Sequence, residues 1–224
     1  MGDGRIGILG GTFNPVHYGH LRVSEEVRER IGLEKILFIP SGNPPLKDLE
    51  LAPAEYRHEM TRLAIASNPS FEISDIESGK TGKSYTVDTL VTLREMHPGK
   101  KLYFILGIDA FLDIPLWYHP ERIMELTNFV VVSRPGFSFT KLSSRVAADA
   151  KELSALESAH RDVCTTAIEN GGEVLLMNTT PMDISATAIR KLVKQRMSVK
   201  YLLPESVESF IISHNLYKEG SDCL

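Results

Sequence analysis

The chain has 224 residues, an apolar share of 42% and a formal net charge of -4, with a pI near 6.0. That length suits one α/β domain and that apolar share fills a sizeable core; the lack of a basic excess argues against broad nucleic-acid or anionic-membrane binding. Cys164 and Cys223 have neither disulfide-framework nor zinc-ribbon spacing, which fits a reducing compartment and a cytoplasmic protein.

Asp3 and Arg5 precede the first short apolar run, which is not the pattern of a signal peptide. Met1-Gly2 opens a myristoylation-like pattern, but Ile6 stands where Ser or Thr is wanted. The longest apolar stretch, Leu102 to Leu112, is interrupted by Asp109 and is too short to span a bilayer.

In chain order, Arg5 to Leu9 reads as a first strand and Lys35 to Ile39 as a second. Val23, Val27 and Ile31 recur between them every four residues, the period of an amphipathic helix. The three together make a βαβ unit, which predicts a parallel sheet. Pro53 suits a helix start, with Tyr56, Met60, Leu63 and Ala64 as its apolar face. Phe71 to Ser74 reads as a short strand. Ser84 or Thr86 can cap a helix carrying Leu90, Leu93 and Met96, stopped by Pro98-Gly99.

Leu102 to Leu106 and Phe129 to Val132 are almost continuously apolar, as buried central strands are. Leu142 to Asn170 reads as helical and alanine-rich, ended by Gly171-Gly172. Val174 to Met177 is expected to be the last strand, followed by a helix from Ser185 and another after Pro204. Residues near 44-52 and 76-83 are polar or proline-rich and read as loops at the site. With no internal repeat and no linker, 1-224 reads as a single domain. Its fold class is α/β, a doubly wound, Rossmann-like parallel sheet of five or six strands with helices on both faces.

Ligands of such sheets bind at the carboxyl ends of the strands, and there the sequence runs from Gly10 to His20. Gly10 and Gly11 let the backbone approach a phosphate without a Cβ clash, and Thr12 adds a hydroxyl. His17 and His20 are three apart, so at a helix start both rings can face one point. Gly19 between them leaves space for a ligand at a helix N-terminus, which favours anions. A bare glycine turn with packed histidines is the alternative; the combination in one loop points to phosphate binding. The spacing of Gly7, Gly10 and Gly11 is not the G-x-G-x-x-G of a dinucleotide fold, which weighs against a hydride-transfer enzyme. Two histidines supply half a zinc site and no third ligand follows at the right spacing, so no metal site is read.

A second anion cradle is written in Ile184-Ser185-Ala186-Thr187-Ala188-Ile189-Arg190. Ser185 is a good N-cap, Thr187 lies in the first turn and Arg190 can add forked, charge-assisted bonds. Alone, Ser-x-Thr-x-x-Arg is an ordinary helix start.

Together these blocks carry a resemblance. Gly10 to His20 is similar to the HxGH signature of the nucleotidyltransferase superfamily, and Ile184 to Arg190 matches that superfamily's ISxTxxR block. The resemblance runs from residue 5 to Tyr217. It implies that His17 and His20 contact the triphosphate and transition state. It also implies that the helical segment of about 185-217 completes an ATP site. Asn14 stands where relatives often have Asp.

The middle of the chain resembles the bacterial nicotinate-mononucleotide adenylyltransferases in three segments: Ser84 to Leu90, Leu106-Gly107-Ile108-Asp109, and Trp117-Tyr118. On the residues alone, a capped helix start can grip a carboxylate, Gly107 allows close approach of a nucleotide, and Asp109 can accept from ribose hydroxyls. Trp117 by itself reads as a packing residue. The resemblance implies that it stacks on a nicotinate ring while the Thr86 and Tyr118 backbones hold the ring's carboxylate. Pro40 to Lys47 resembles a PPHK block with Leu46 in place of His, leaving Lys47 as a phosphate-neutralising cation or a solvated lysine. Arg134, in Arg134-Pro135-Gly136, faces a phosphate or makes a surface ion pair. Arg57, Asp75 and Glu77 match family positions and read as structural.

The resemblance therefore implies adenylyl transfer from ATP to nicotinate mononucleotide, giving deamido-NAD and pyrophosphate in NAD biosynthesis. The implied catalytic residues are His17, His20, Ser185 and Arg190. ATP falls on Gly10, Gly11, Thr12, Phe13, His17, His20, Leu106, Gly107, Ile184, Ser185, Thr187 and Arg190. The acceptor falls on Lys47, Thr86, Asp109, Trp117, Tyr118 and Arg134. Mg²⁺ is expected to be carried with ATP, since no carboxylate cluster is evident. The expected partners are ATP and nicotinate mononucleotide, with no nucleic acid and no membrane; a homo-oligomer is left open. Nicotinamide mononucleotide or phosphopantetheine as acceptor, and a non-catalytic nucleotide-binding regulator, are the rival readings.

Overall fold

The computed structural model describes residues 4-44, 51-79, 82-158, 160-168 and 171-218. Seven strands form one mostly parallel sheet. They are β1 (Arg5–Gly11), β2 (Lys35–Pro40), β3 (Phe71–Ile73), β4 (Lys101–Gly107), β5 (Asn128–Val132), β6 (Val163–Ala167) and β7 (Glu173–Met177). Their order across the sheet is β3-β2-β1-β4-β5-β7-β6. The chain steps outward one way from β1 to β3, then returns to the other side of β1 with β4, the reversal that defines a doubly wound fold.

The helices are α1 (Tyr18–Ile31), α2 (Ala54–Ile65), α3 (Thr86–Met96), α4 (Ile108–Asp113), α5 (Pro120–Leu126), α6 (Ala150–Glu157), α7 (Ala186–Lys194) and α8 (Glu205–Ser213). None of the described helices is long and apolar enough to cross a membrane. The residues group into two compact units. The first comprises Met1–Leu9, Val23–Ile36 and Tyr85–Pro181; the second comprises Gly10–Arg22, Leu37–Ser84 and Met182–Leu224.

In the first unit, β1, β4, β5 and β7 pair in parallel, with Ile8 opposite Phe104, Phe104 opposite Phe129 and Phe129 opposite Val174. Leu102 to Leu106, Phe129 to Val132 and Val174 to Met177 are buried. Their unbroken apolar runs follow from a parallel sheet's being covered on both faces. On α1 the buried positions are Ser24, Glu26 and Val27; Val23 and Ile31 are only half-buried. The buried Glu26 carboxylate is held by the Thr180 N–H and by Arg30, 3.6 Å away.

The long helix expected over Leu142 to Asn170 does not form. Phe139–Leu142 is a 3₁₀ turn, α6 spans eight residues, and β6 pairs antiparallel with β7. A capping box starts α6 late. The Asp149 carboxylate accepts from the Glu152 N–H at 2.8 Å, and the Glu152 carboxylate accepts from the Asp149 N–H at 3.1 Å. Val163-Cys164-Thr165-Thr166 then supplies β-branched residues suited to an edge strand, which makes seven strands where five or six were expected. The cap expected for α3 also differs. Tyr85 is the N-cap with no side-chain bond, Thr86 is the first helical residue, and Met96 is exposed. The Ser84 hydroxyl instead accepts from the Asn43 N–H.

In the second unit α2 packs on α8 and β3. Its buried stripe is Arg57, Met60, Thr61, Ala64 and Ile65.

Candidate active site

In the second unit, β1 ends on Gly11 and the chain enters the loop that leads to α1. Phe13 takes a left-handed φ of 48°. It is buried with its ring edge-on to His20 at 5.1 Å between centroids. The Asn14-Pro15 peptide is cis. His17 is buried and His20 half-buried, and their rings stack with centroids 3.7 Å apart. The His17 N–H donates to His20 Nδ1 at 3.2 Å. An accepting Nδ1 places the proton of the neutral ring on Nε2, so His20 presents an N–H donor on its far side.

Gly19 has a different reason from the one expected. A Cβ there would lie 3.0 Å from His17 Nδ1 and 3.7 Å from the Ile184 carbonyl. The space is taken by the His17 ring, and glycine is what lets that ring fold back on the helix start.

The second block lies in the same unit. Ser185 caps α7, its hydroxyl accepting from the Ala188 N–H at 3.2 Å. Thr187 is exposed in the first turn, and Ile184 is half-buried ahead of it. Arg190 is buried and donates from Nη1 to the Asn14 carbonyl at 2.9 Å. A cavity of about 220 Å³ is lined by Thr12, Phe13, Asn14, His20, Pro44, Leu51, Ala186 and Arg190. An imidazole N–H, an arginine and a helix N-terminus meeting at one cavity suit a polyanion. Gly10 is exposed at the mouth of the loop. Lys47, like Leu46, lies outside the described residues.

The loop is held from beneath by Arg57, which is fully buried. Its guanidinium donates to four backbone carbonyls: Ala52 at 3.0 Å, Thr12 at 2.8 Å, Ser41 at 2.6 Å and Gly42 at 3.0 Å. Burial lowers the Arg57 pKa from its ordinary value, while nearby Tyr217 and Glu77 raise it; an arginine so bonded stays charged. Asn14, noted in the sequence only as standing where relatives often have Asp, is a further junction. Its Oδ1 accepts from the Ala52 N–H at 3.1 Å and from the Tyr217 hydroxyl at 2.8 Å. An amide oxygen meets both donors as a carboxylate would, so Asn in place of Asp costs neither bond. One signal for Arg57 was available: it occupies a core position in the 57, 60, 61, 64 stripe of α2. None pointed to the pairing of Asn14 with Tyr217, 203 residues away.

In the first unit, β4 delivers buried Leu106 and half-buried Gly107, and α4 starts at once with Asp109 in its first turn. Arg134 Nη1 lies 2.5 Å from Asp109 Oδ2. The ion pair, one of the two readings for Arg134, is present. Asp109 Oδ1 is buried and has no hydrogen-bond partner among the described residues. A Cβ on Gly107 would lie 2.5 Å from that oxygen, so the carboxylate folds over glycine backbone.

Thr86 is the first residue of α3, where N–H groups lack intrahelical partners. Trp117 is half-buried, set edge-to-face on Phe104 at 6.3 Å. Tyr118 is exposed and lies over Tyr85, with ring centroids 4.5 Å apart.

The family model described as cytidylyltransferase-like matches residues 8–192. A Geotalea daltonii protein described as a "Probable nicotinate-nucleotide adenylyltransferase" is 44% identical over 218 residues, covering 96% of this chain and 99% of its own. One from Geobacter metallireducens, so described too, is 42% identical over 214 residues, covering 95% and 98%. Among solved structures, the Plasmodium falciparum nicotinic acid mononucleotide adenylyltransferase complexed with NaAD has the same fold. It aligns with a TM-score of 0.73 and 23% identity over 95% of this chain and 97% of that one. On its matched length and these relatives, the chain belongs to the cytidylyltransferase-like family, alongside the nicotinate-nucleotide adenylyltransferases.

Proposed function

We propose that the protein is a nicotinate-nucleotide adenylyltransferase: it transfers the adenylyl group of ATP to nicotinate mononucleotide, forming deamido-NAD and pyrophosphate. The observation that carries this is the cavity where Thr12, His20, Arg190 and the first turn of α7 converge. The names of relatives more than 40% identical over nearly the whole chain supply the acceptor. Residues 1-224 act as one nucleotidyltransferase domain, with the segment of about 185-217 completing the ATP site.

An oxygen of the acceptor phosphate bonds to the α-phosphorus of ATP. The bond from that phosphorus to its bridging oxygen breaks, and pyrophosphate leaves with the electron pair. Positioning and charge stabilisation dominate such chemistry. His17 and His20 donate to the α- and β-phosphates, while Ser185, Thr187 and Arg190 hold the departing pyrophosphate. Gly10, Gly11, Thr12, Phe13 and Ile184 bind the nucleotide; Leu106 and Gly107 are assigned to it by the family resemblance alone. On the acceptor side, Trp117 stacks on the pyridine ring and the Thr86 and Tyr118 N–H groups hold its carboxylate. Asp109 accepts from ribose, and Arg134 and Lys47 add positive charge.

The substrate is Mg-ATP, its metal carried by the nucleotide.

The test is pyrophosphate release by the purified protein with Mg-ATP and either nicotinate or nicotinamide mononucleotide. Release with the acid alone is expected, because paired donors suit a carboxylate and meet an amide NH₂ badly. Equal release with the amide would remove the acid preference. Tight ATP binding without release on either acceptor would replace the enzyme by a nucleotide-binding regulator.

A further inference from the structure

After α8 ends at Ser213, the chain turns back through two left-handed residues that are not glycine, Asn215 at φ 51° and Tyr217 at φ 61°. Asn215 is an ordinary cap in that conformation, with the Leu216 N–H bonded to the Ile211 carbonyl at 3.0 Å, whereas a tyrosine adopts it at a steric cost. The turn inserts Leu216 and Tyr217, both buried, into the second unit. The Tyr217 hydroxyl donates to Asn14 Oδ1 at 2.8 Å.

Asn14 sits three residues before His17. Its two Oδ1 bonds, to Tyr217 and to the Ala52 N–H, use both lone pairs of that oxygen. Its carbonyl is gripped by Arg190 at 2.9 Å. The C-terminal segment thus reaches, through one side chain, the residue on which the phosphate loop and Arg190 both depend. Without the hydroxyl, Oδ1 loses one of these two bonds and the Thr12 to His17 span is held less firmly, by Arg57 and Arg190 through its backbone.

We propose that Tyr217 is a positioning residue: through Asn14 it fixes the loop that aims His17 and His20, so the C-terminal segment tunes turnover without touching substrate. This rests on the adenylyltransferase reading for its kinetics, though not for its geometry. Small displacements of aligned groups lower rates more than affinities.

The experiment compares wild type, Tyr217→Phe, Asn14→Ala and the double variant, with exposed Tyr201→Phe as control. Pyrophosphate release is read alongside the histidine ring resonances and the melting temperature. Tyr217→Phe keeps the ring's packing and removes only the hydroxyl. Its kcat is expected to fall at least about tenfold, with KM for nicotinate mononucleotide within about twofold. Resonances of His17 and His20 should shift while those of His97 and His160 stay, and the double variant should be no slower than Asn14→Ala alone.

Unchanged kcat in a variant that merely melts earlier would overturn the proposal. So would losses that multiply in the double variant, which would mean that Tyr217 does not act through Asn14. A wild type that releases no pyrophosphate would remove the adenylyltransferase reading instead. The resonances would then decide the positioning role: shifts at His17 and His20 sustain it, and unmoved rings reject it.

Discussion

The imidazoles of His17 and His20 stack with centroids 3.7 Å apart and planes 29° from parallel. The His17 N–H is bonded to His20 Nδ1, which fixes His20 as a donor through Nε2 before any substrate arrives. The donor is built into the helix start and needs little rearrangement to meet developing charge on a phosphate oxygen.

His20→Ala is accordingly expected to lower kcat by about 10²- to 10³-fold, the effect of removing one preorganised donor. ATP binding, read by titration calorimetry, should weaken by less than about threefold. Loss concentrated in ATP affinity, with kcat retained, would contradict the role assigned to His20.

Arg57 donates to four backbone carbonyls while fully buried. Arg57→Met keeps bulk and removes every donor, leaving each acceptor with a desolvation cost of about 1–3 kcal/mol. A loss of at least about 3 kcal/mol in urea unfolding is expected. For a chain of this size that lowers the melting temperature by about 6 °C or more. A drop under about 2 °C would mean that water takes over the carbonyls.

Ser185 separates capping from catalysis. Ser185→Ala removes the bond to the Ala188 N–H and should cost about 1 kcal/mol. Ser185→Asp keeps a capping oxygen, so its melting temperature should match wild type. Its negative charge, however, lies where the pyrophosphate is placed, and kcat/KM for ATP should fall at least about tenfold, equivalent to about 1.4 kcal/mol. Full activity in the aspartate variant would remove the α7 N-terminus from the phosphate site.

Gly107→Ala probes the acceptor side. The added methyl must displace the Asp109 carboxylate, which lies 2.5 Å from where the Cβ would stand. That breaks the ion pair with Arg134. Arg134 is exposed and Asp109 only half-buried, so stability should change by less than about 1 kcal/mol. If that carboxylate accepts from ribose as proposed, the KM for nicotinate mononucleotide should rise at least about fivefold. Unchanged KM for both substrates would place Asp109 outside the site.

The sequence by itself determined the sheet's central strands, because runs such as Leu102 to Leu106 are apolar on both faces and fit only a covered parallel strand. It also singled out two candidate anion-binding blocks, Gly10 to His20 and Ile184 to Arg190, because a helix start with hydroxyls, histidines or arginine is a local signal. The region from Leu142 to Asn170 misled it. Alanine, leucine and glutamate read as helix, and an edge strand is decided by whether β7 offers a partner. Only the tertiary structure decided what holds the blocks in place. Arg57 beneath the loop and the Asn14–Tyr217 bond join residues far apart in the chain, as the Asp109–Arg134 pair does within the first unit. Hydrogen bonds of that reach leave no periodicity to read, because they depend on where the backbone carries each group rather than on its neighbours in sequence.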